Sequence, residues 1–79
     1  MYKSEIEKFL KIQTEGKSTL KQYGSENNDT FAVIEHIRFD EQLGENIPET
    51  KKFYMNGRSP VEFINEIGFW ISSFYTESD

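Results

Sequence analysis

No cysteine occurs anywhere in the sequence, which excludes disulfide staples and thiolate metal sites and fits a reducing compartment. Long apolar runs are missing too. None approaches the roughly 20 residues that a membrane-spanning helix needs, and no basic segment followed by an apolar run opens the chain. The expectation is a soluble, cytoplasmic protein with no membrane partner. Bases are scarce, nine against fourteen acids for a net charge of −5. That argues against direct nucleic-acid binding, which gains affinity by neutralising phosphates with Lys and Arg. Histidine occurs once, and the chain holds no nucleophile elbow, P-loop or dinucleotide fingerprint, so we read it as a non-enzyme without a cofactor.

What is present is aromatic. Only 35% of the 79 residues are hydrophobic but 15% are Phe, Tyr or Trp, so a single small domain must build its core from a few large rings. The strongest local signal runs from Ser59 to Tyr75. Ser59 with Glu62 three residues on is a capping box, and Pro60 stands at the first helical position with the φ a helix requires. At about 100° per residue, Phe63, Ile64, Ile67, Trp70, Ile71, Phe74 and Tyr75 form one broad apolar face. Ser4 and Glu7 repeat the capping spacing, and Ile6, Phe9 and Leu10 share a face, which predicts a first helix over about 4–14 ended by Gly16.

Between the helices the period changes to two. Ser18 to Tyr23 is a weak strand, and Gly24 to Asp29 is turn chemistry. Thr30 to Phe39 alternates as a strand, with Phe31, Val33, Ile37 and Phe39 on one face, the first three assigned to the core, and Ala32, Ile34, His36 and Arg38 on the other. Glu35 interrupts the assigned core face and calls for a bulge or a basic partner. His36 is expected on the surface. Asp40 to Glu49, with Gly44, Pro48 and four acids, reads as a long loop, followed by a short strand over Lys51 to Met55. The fold class is therefore α+β in the order α-β-β-β-α, a three-stranded antiparallel sheet with both helices on one face. The expected core is Ile6, Phe9, Leu10, Phe31, Val33, Ile37, Phe53, Met55, Phe63, Ile64, Ile67, Trp70, Ile71 and Phe74. The chain past about Tyr75 is expected to fray.

Two features exceed what such a fold needs. Residues 22–50 carry seven acids against Arg38 alone, an acidic pole of net −6. The carboxylates of its loop could suggest calcium, but the alternation of ligands that a calcium loop requires is absent, so no metal is expected. The second is Phe69, about 240° around the last helix from Phe63 and hence on its polar side. An aromatic anchor within a charged surround is how small binders hold and steer toward a partner. The candidate partner-binding residues are Glu26, Asp29, Asp40, Glu41, Glu45, Glu49, Tyr54 and Phe69, and the expected partner is a protein with a basic, nucleic-acid-handling surface. Self-association as a homodimer through Tyr54 and Phe69 is the alternative. In size and charge the chain resembles phage-encoded inhibitors, such as anti-CRISPR proteins and DNA mimics, and bacterial immunity proteins. No motif ties it to one of these families, so no residue role is carried over.

Overall fold

The computed structural model describes residues 2–75, the side chain of Tyr2 excepted, and the expected fraying past Tyr75 lies outside the described residues. Two helices, α1 (Tyr2–Thr14) and α2 (Pro60–Ser72), flank three strands, β1 (Ser18–Glu26), β2 (Asp29–Asp40) and β3 (Glu45–Tyr54). The strands form one antiparallel sheet in the order β1-β2-β3, and both helices cover the same face. The expected α-β-β-β-α class is what the chain adopts.

Helix α2 begins as its sequence dictates. The Glu62 amide donates to Ser59 Oγ at 3.3 Å and the Ser59 amide to Glu62 Oε1 at 3.2 Å, with Pro60 at the first helical position. Arg58 anchors the segment before it, donating to the carbonyls of Met55 and Tyr54 at 3.0 and 2.7 Å and pairing with Glu66. That guanidinium serves the helix entry. Helix α1 starts at Tyr2, so Ser4 lies inside it and caps nothing. The two helices approach where Gly68 meets Phe9: a Cβ at Gly68 would stand 3.1 Å from Phe9 Cζ, so the absence of a side chain sets their spacing.

The core consists of Ile6, Leu10, Ala32, Ile34, Phe53, Phe63, Ile67 and Ile71, with Phe9, Leu20, Tyr23, Met55, Ile64 and Trp70 packed around it. Trp70 is half-buried, packed edge-to-face on Phe53 with ring centres 5.6 Å apart. The face assignment of β2 is inverted relative to expectation. Ala32, Ile34 and His36 lie under the helices; Val33 and Ile37 are half-buried on the uncovered face and Phe39 is exposed. Phe31 is buried but outside the core cluster, on the open face beneath Lys52, whose Nζ stands 4.4 Å from the ring centre. Glu35 is thereby explained: it too is on the open face, 3.5 Å from Lys21. A bulge between Leu20 and Gln22 shifts the parity of β1, so that Leu20 before it and Tyr23 after it both pack against the core.

His36 is buried, not on the surface. Its Nδ1 is 2.6 Å from Ser18 Oγ, and its ring stacks on Phe74 with centres 4.5 Å apart. Ser18 donates its amide to Thr14 Oγ1, which donates to the Leu10 carbonyl, so a buried polar chain ties the end of α1 to β1 and β2.

Two more boundaries differ from expectation. Strand β1 continues to Glu26, and the turn is Asn27-Asn28 alone, both at positive φ (53° and 63°), the signature of a type I′ hairpin. Asn tolerates this conformation where a residue with a plain Cβ is strained. Asn28→Ala is expected to cost about 1 kcal/mol, read as an earlier urea midpoint, with Asn28→Gly neutral or stabilising. An unchanged midpoint in the Ala variant would show that the turn is held by something other than local preference.

The other concerns Asp40 to Glu49, which is a hairpin and not a long loop. Only 41–44 form the turn, and β3 begins at Glu45 with Asp40 opposite. Pro48 is accommodated because β3 is an edge strand. Met55 N donates to Thr30 O, which by alternation turns the odd-numbered residues of β3 toward β2 and leaves the missing N–H of Pro48 on the open edge.

A candidate protein-binding surface on the projecting hairpin

Strand β1 begins opposite His36, and beyond Ile37, whose amide donates to the Lys17 carbonyl at 2.9 Å, β2 pairs with β3 alone. The molecule measures 42 × 20 × 19 Å, and the two-stranded segment from Ile37 to Glu49 forms an arm at one end of its long axis. Hydrogen bonds close the arm's turn. Asp40 Oδ1 accepts from the amides of Gln42 and Leu43 at 2.9 and 3.2 Å, and the Gly44 amide donates to the Asp40 carbonyl at 2.7 Å. Gly44 has φ of +68°, which a glycine adopts without strain.

The arm carries one base against four acids, a net of −3. Arg38 sits between two of them, donating from Nε to Glu49 Oε2 at 2.6 Å and lying 3.6 Å from Asp40. These bonds, that to Glu49 foremost, raise the pKa of Arg38 further. Glu41 and Glu45 are exposed and have no ion pair among the described residues. Beside them two apolar side chains stand in solvent, Phe39 at 61% and Leu43 at 62% exposure. The arm thus combines free carboxylates with an apolar pair that no part of the fold covers.

The remaining candidates lie elsewhere. Glu26 and Asp29 flank the opposite turn, at the far end of β2, which at about 3.3 Å per residue separates them from Asp40 by roughly 35 Å. Glu26 accepts from Lys52 Nζ at 2.7 Å and from the Tyr54 hydroxyl at 3.4 Å, and the Lys52 bond and charge hold its carboxyl below the usual range. Asp29 Oδ1 accepts from the Asn56 amide. Both serve the fold's own contacts. Tyr54 is on the open sheet face, adjacent to the core residue Phe53, whereas Phe69, 78% exposed, is on the helix layer. The eight residues therefore divide into the arm (Asp40, Glu41, Glu45, Glu49), the opposite end (Glu26, Asp29, Tyr54) and Phe69 alone. Tyr54 and Phe69 do not share a seam.

Sequence reasoning set Phe39 on the same strand face as the expected core residues Phe31, Val33 and Ile37, and passed over Leu43. The signal was Glu35: a carboxylate in line with Phe31, Val33, Ile37 and Phe39 marks their face as the uncovered one.

A groove of about 690 Å³ runs between the arm and the end of α2, lined among others by Lys17, His36, Arg38, Phe39 and Tyr75. The Ser18 hydroxyl bonded to His36 is buried and does not reach it, so the pair offers no nucleophile there. Burial first, and the Lys17 charge second, push the His36 pKa down and keep the ring neutral. Among the described residues no three His, Asp or Glu side chains cluster as metal ligands, and no helix is long and apolar enough to cross a membrane. No family model, curated protein or solved structure matches the chain.

Proposed function

We propose that this protein is a small protein-binding inhibitor whose acidic hairpin arm docks on a basic, nucleic-acid-handling surface of a partner and occludes it. One observation carries the reading: Glu41 and Glu45 are unpaired carboxylates on the same projecting two-stranded arm as the uncovered Phe39 and Leu43. The carboxylates stand in for nucleic-acid phosphates and steer encounter, and the apolar pair holds the complex once formed. The cysteine-free composition suits a reducing cytoplasm, where such partners work.

The test begins with capture of the partner on the immobilised chain, identification by mass spectrometry, and assay of that partner's nucleic-acid binding with the chain added. The chain is expected to displace nucleic acid. Its association rate should fall at least about tenfold as salt rises from roughly 50 to 300 mM. Glu41→Gln with Glu45→Gln should slow association several-fold and leave the melting temperature in place, since exposed charges contribute little to stability. Phe39→Ala with Leu43→Ala should act on the dissociation rate. An association rate indifferent both to salt and to the paired Gln substitutions would remove the arm from recognition.

A further inference from the structure

Asn56 is the only asparagine of the chain that is followed by glycine. It stands in the turn that carries the chain from β3 to α2, where Asn56 and Gly57 have φ of 55° and 74° and the Arg58 amide donates to the Met55 carbonyl at 3.0 Å. Positive φ at both central positions is the signature of a type I′ turn. Both residues are exposed, and a Cβ built at Gly57 would meet nothing within 4 Å. Among the described residues, neither the Asn56 carboxamide nor the Gly57 amide has a hydrogen-bond partner. A free electrophile and a free nucleophile are thus joined through one short stretch of backbone.

We infer that Asn56-Gly57 is a self-modification site, at which the chain converts Asn56 to an isoaspartyl linkage and so loosens the entry to α2. The Gly57 backbone nitrogen bonds to Cγ of Asn56, its proton leaves with the side-chain nitrogen as ammonia, and a succinimide ring closes. Water then opens the ring at either carbonyl and leaves an aspartyl or an isoaspartyl linkage, so that water is gained and ammonia lost. Solvent is the only co-reactant. A side chain on the attacking residue would crowd the ring, and Gly57 has none.

The turn sets the pace. The Met55 carbonyl holds both the amide and Nε of Arg58, each at 3.0 Å, and swinging the Gly57 nitrogen toward Cγ means rotating about the Asn56 Cα-C bond, which breaks this closure. The reaction therefore belongs to the opened turn, a local fluctuation that an exposed segment makes without global unfolding. The product then keeps it open. An isoaspartyl linkage adds a methylene to the main chain between the Met55 carbonyl and the Arg58 amide, and the turn loses its spacing. With it go the bonds of Arg58 to Met55 and Tyr54 and its pair with Glu66, which hold the chain ahead of the Ser59 cap. The new carboxylate also stands on the residue whose amide binds Asp29 Oδ1 at 2.9 Å, so its charge opposes that contact. The site lies past Tyr54, at the end of the sheet opposite the arm, and uses none of the arm's residues.

The experiment is ageing of the full chain at neutral pH and body temperature, followed by peptide mapping with mass spectrometry and labelling with an isoaspartyl methyltransferase. Isoaspartate should accumulate at Asn56 several-fold faster than at Asn27, Asn28, Asn46 or Asn65. It should form faster still in Arg58→Lys, which keeps the charge but gives up the forked hold on two carbonyls. The aged parent should unfold at lower urea than the fresh one, whereas aged Asn56→Gly, which suits a positive φ and has no Cγ, should match its fresh form. The map of the parent decides the site should either variant prove unfolded by circular dichroism. Asn56 reacting no faster than the other asparagines would overturn the inference, as would equal ageing losses in the parent and Asn56→Gly. Isoaspartate at Asn56 with an unchanged urea midpoint would overturn the loosening of α2, and an unchanged rate in Arg58→Lys the control by the turn.

Discussion

Phe63→Ala is expected to lower the free energy of unfolding by about 3 to 5 kcal/mol, the range for removing a fully buried ring and leaving its cavity. Phe63 has no exposed surface, and it sits at the centre of the apolar face that α2 presents to Ala32, Ile34 and Phe53. A domain of 79 residues holds only about 4 to 12 kcal/mol in total, so the substitution removes a large part of the stability, or all of it. Urea denaturation followed by the fluorescence of Trp70, which packs on both Phe53 and Phe74, is a direct readout. Phe69→Ala on the same helix is the control. Its ring is 78% exposed, and its loss should cost under about 0.5 kcal/mol. Equal losses in the two variants would mean that the helix is rotated about its axis from the position described.

The second large effect is loss of stability in mild acid through His36. Its folded pKa lies below the ordinary histidine value because burial disfavours the charged ring and Lys17 adds to it. The unfolded chain therefore binds the proton more readily than the folded one, and the stability held at neutral pH declines as pH falls below about 6.5. The window from about pH 7 to 5 belongs to this residue, since it is the only histidine and ordinary carboxylates titrate lower. Protonation also disturbs what the ring joins, the Ser18 hydroxyl at 2.6 Å and the stack on Phe74. Glu26 adds its own acid sensitivity further down, its depressed carboxyl losing the Lys52 contact as pH drops below the carboxylate range. The melting temperature should thus fall from pH 7 to 5 in the parent. It should stay flat in His36→Asn, whose amide can still meet Ser18 but cannot titrate, at a baseline lower by about 2 kcal/mol or more for the lost ring. A parent whose melting temperature holds steady across that window would show that the ring is accommodated charged.

By itself the sequence determined the helices and the order of elements. The face of α2 that packs, Phe63, Ile67 and Ile71, follows from a 3.6-residue period sustained over thirteen residues, and its start from Ser59, Pro60 and Glu62 acting on their own backbone. These are local causes, complete within one segment. What only the tertiary structure decided is which side of β2 faces inward and whether the acidic stretch pairs. Both faces of β2 are apolar, Phe31, Val33, Ile37 and Phe39 against Ala32, Ile34 and a histidine, so alternation names two faces without ranking them. The ranking comes from the helices. They fill the space above the sheet with Phe9, Phe63 and Trp70, and beneath such rings the strand has room for Ala32 and Ile34, while its larger residues go to the open side. Likewise Glu45 to Thr50 carries loop residues by any local measure, yet β2 already lies extended beside it and supplies the hydrogen bonds, and the edge position leaves Pro48 without a bond to lose. Strand pairing is non-local, and the length of β2 then carries Asp40, Glu41 and Glu45 to one end of the molecule and Glu26 and Asp29 to the other.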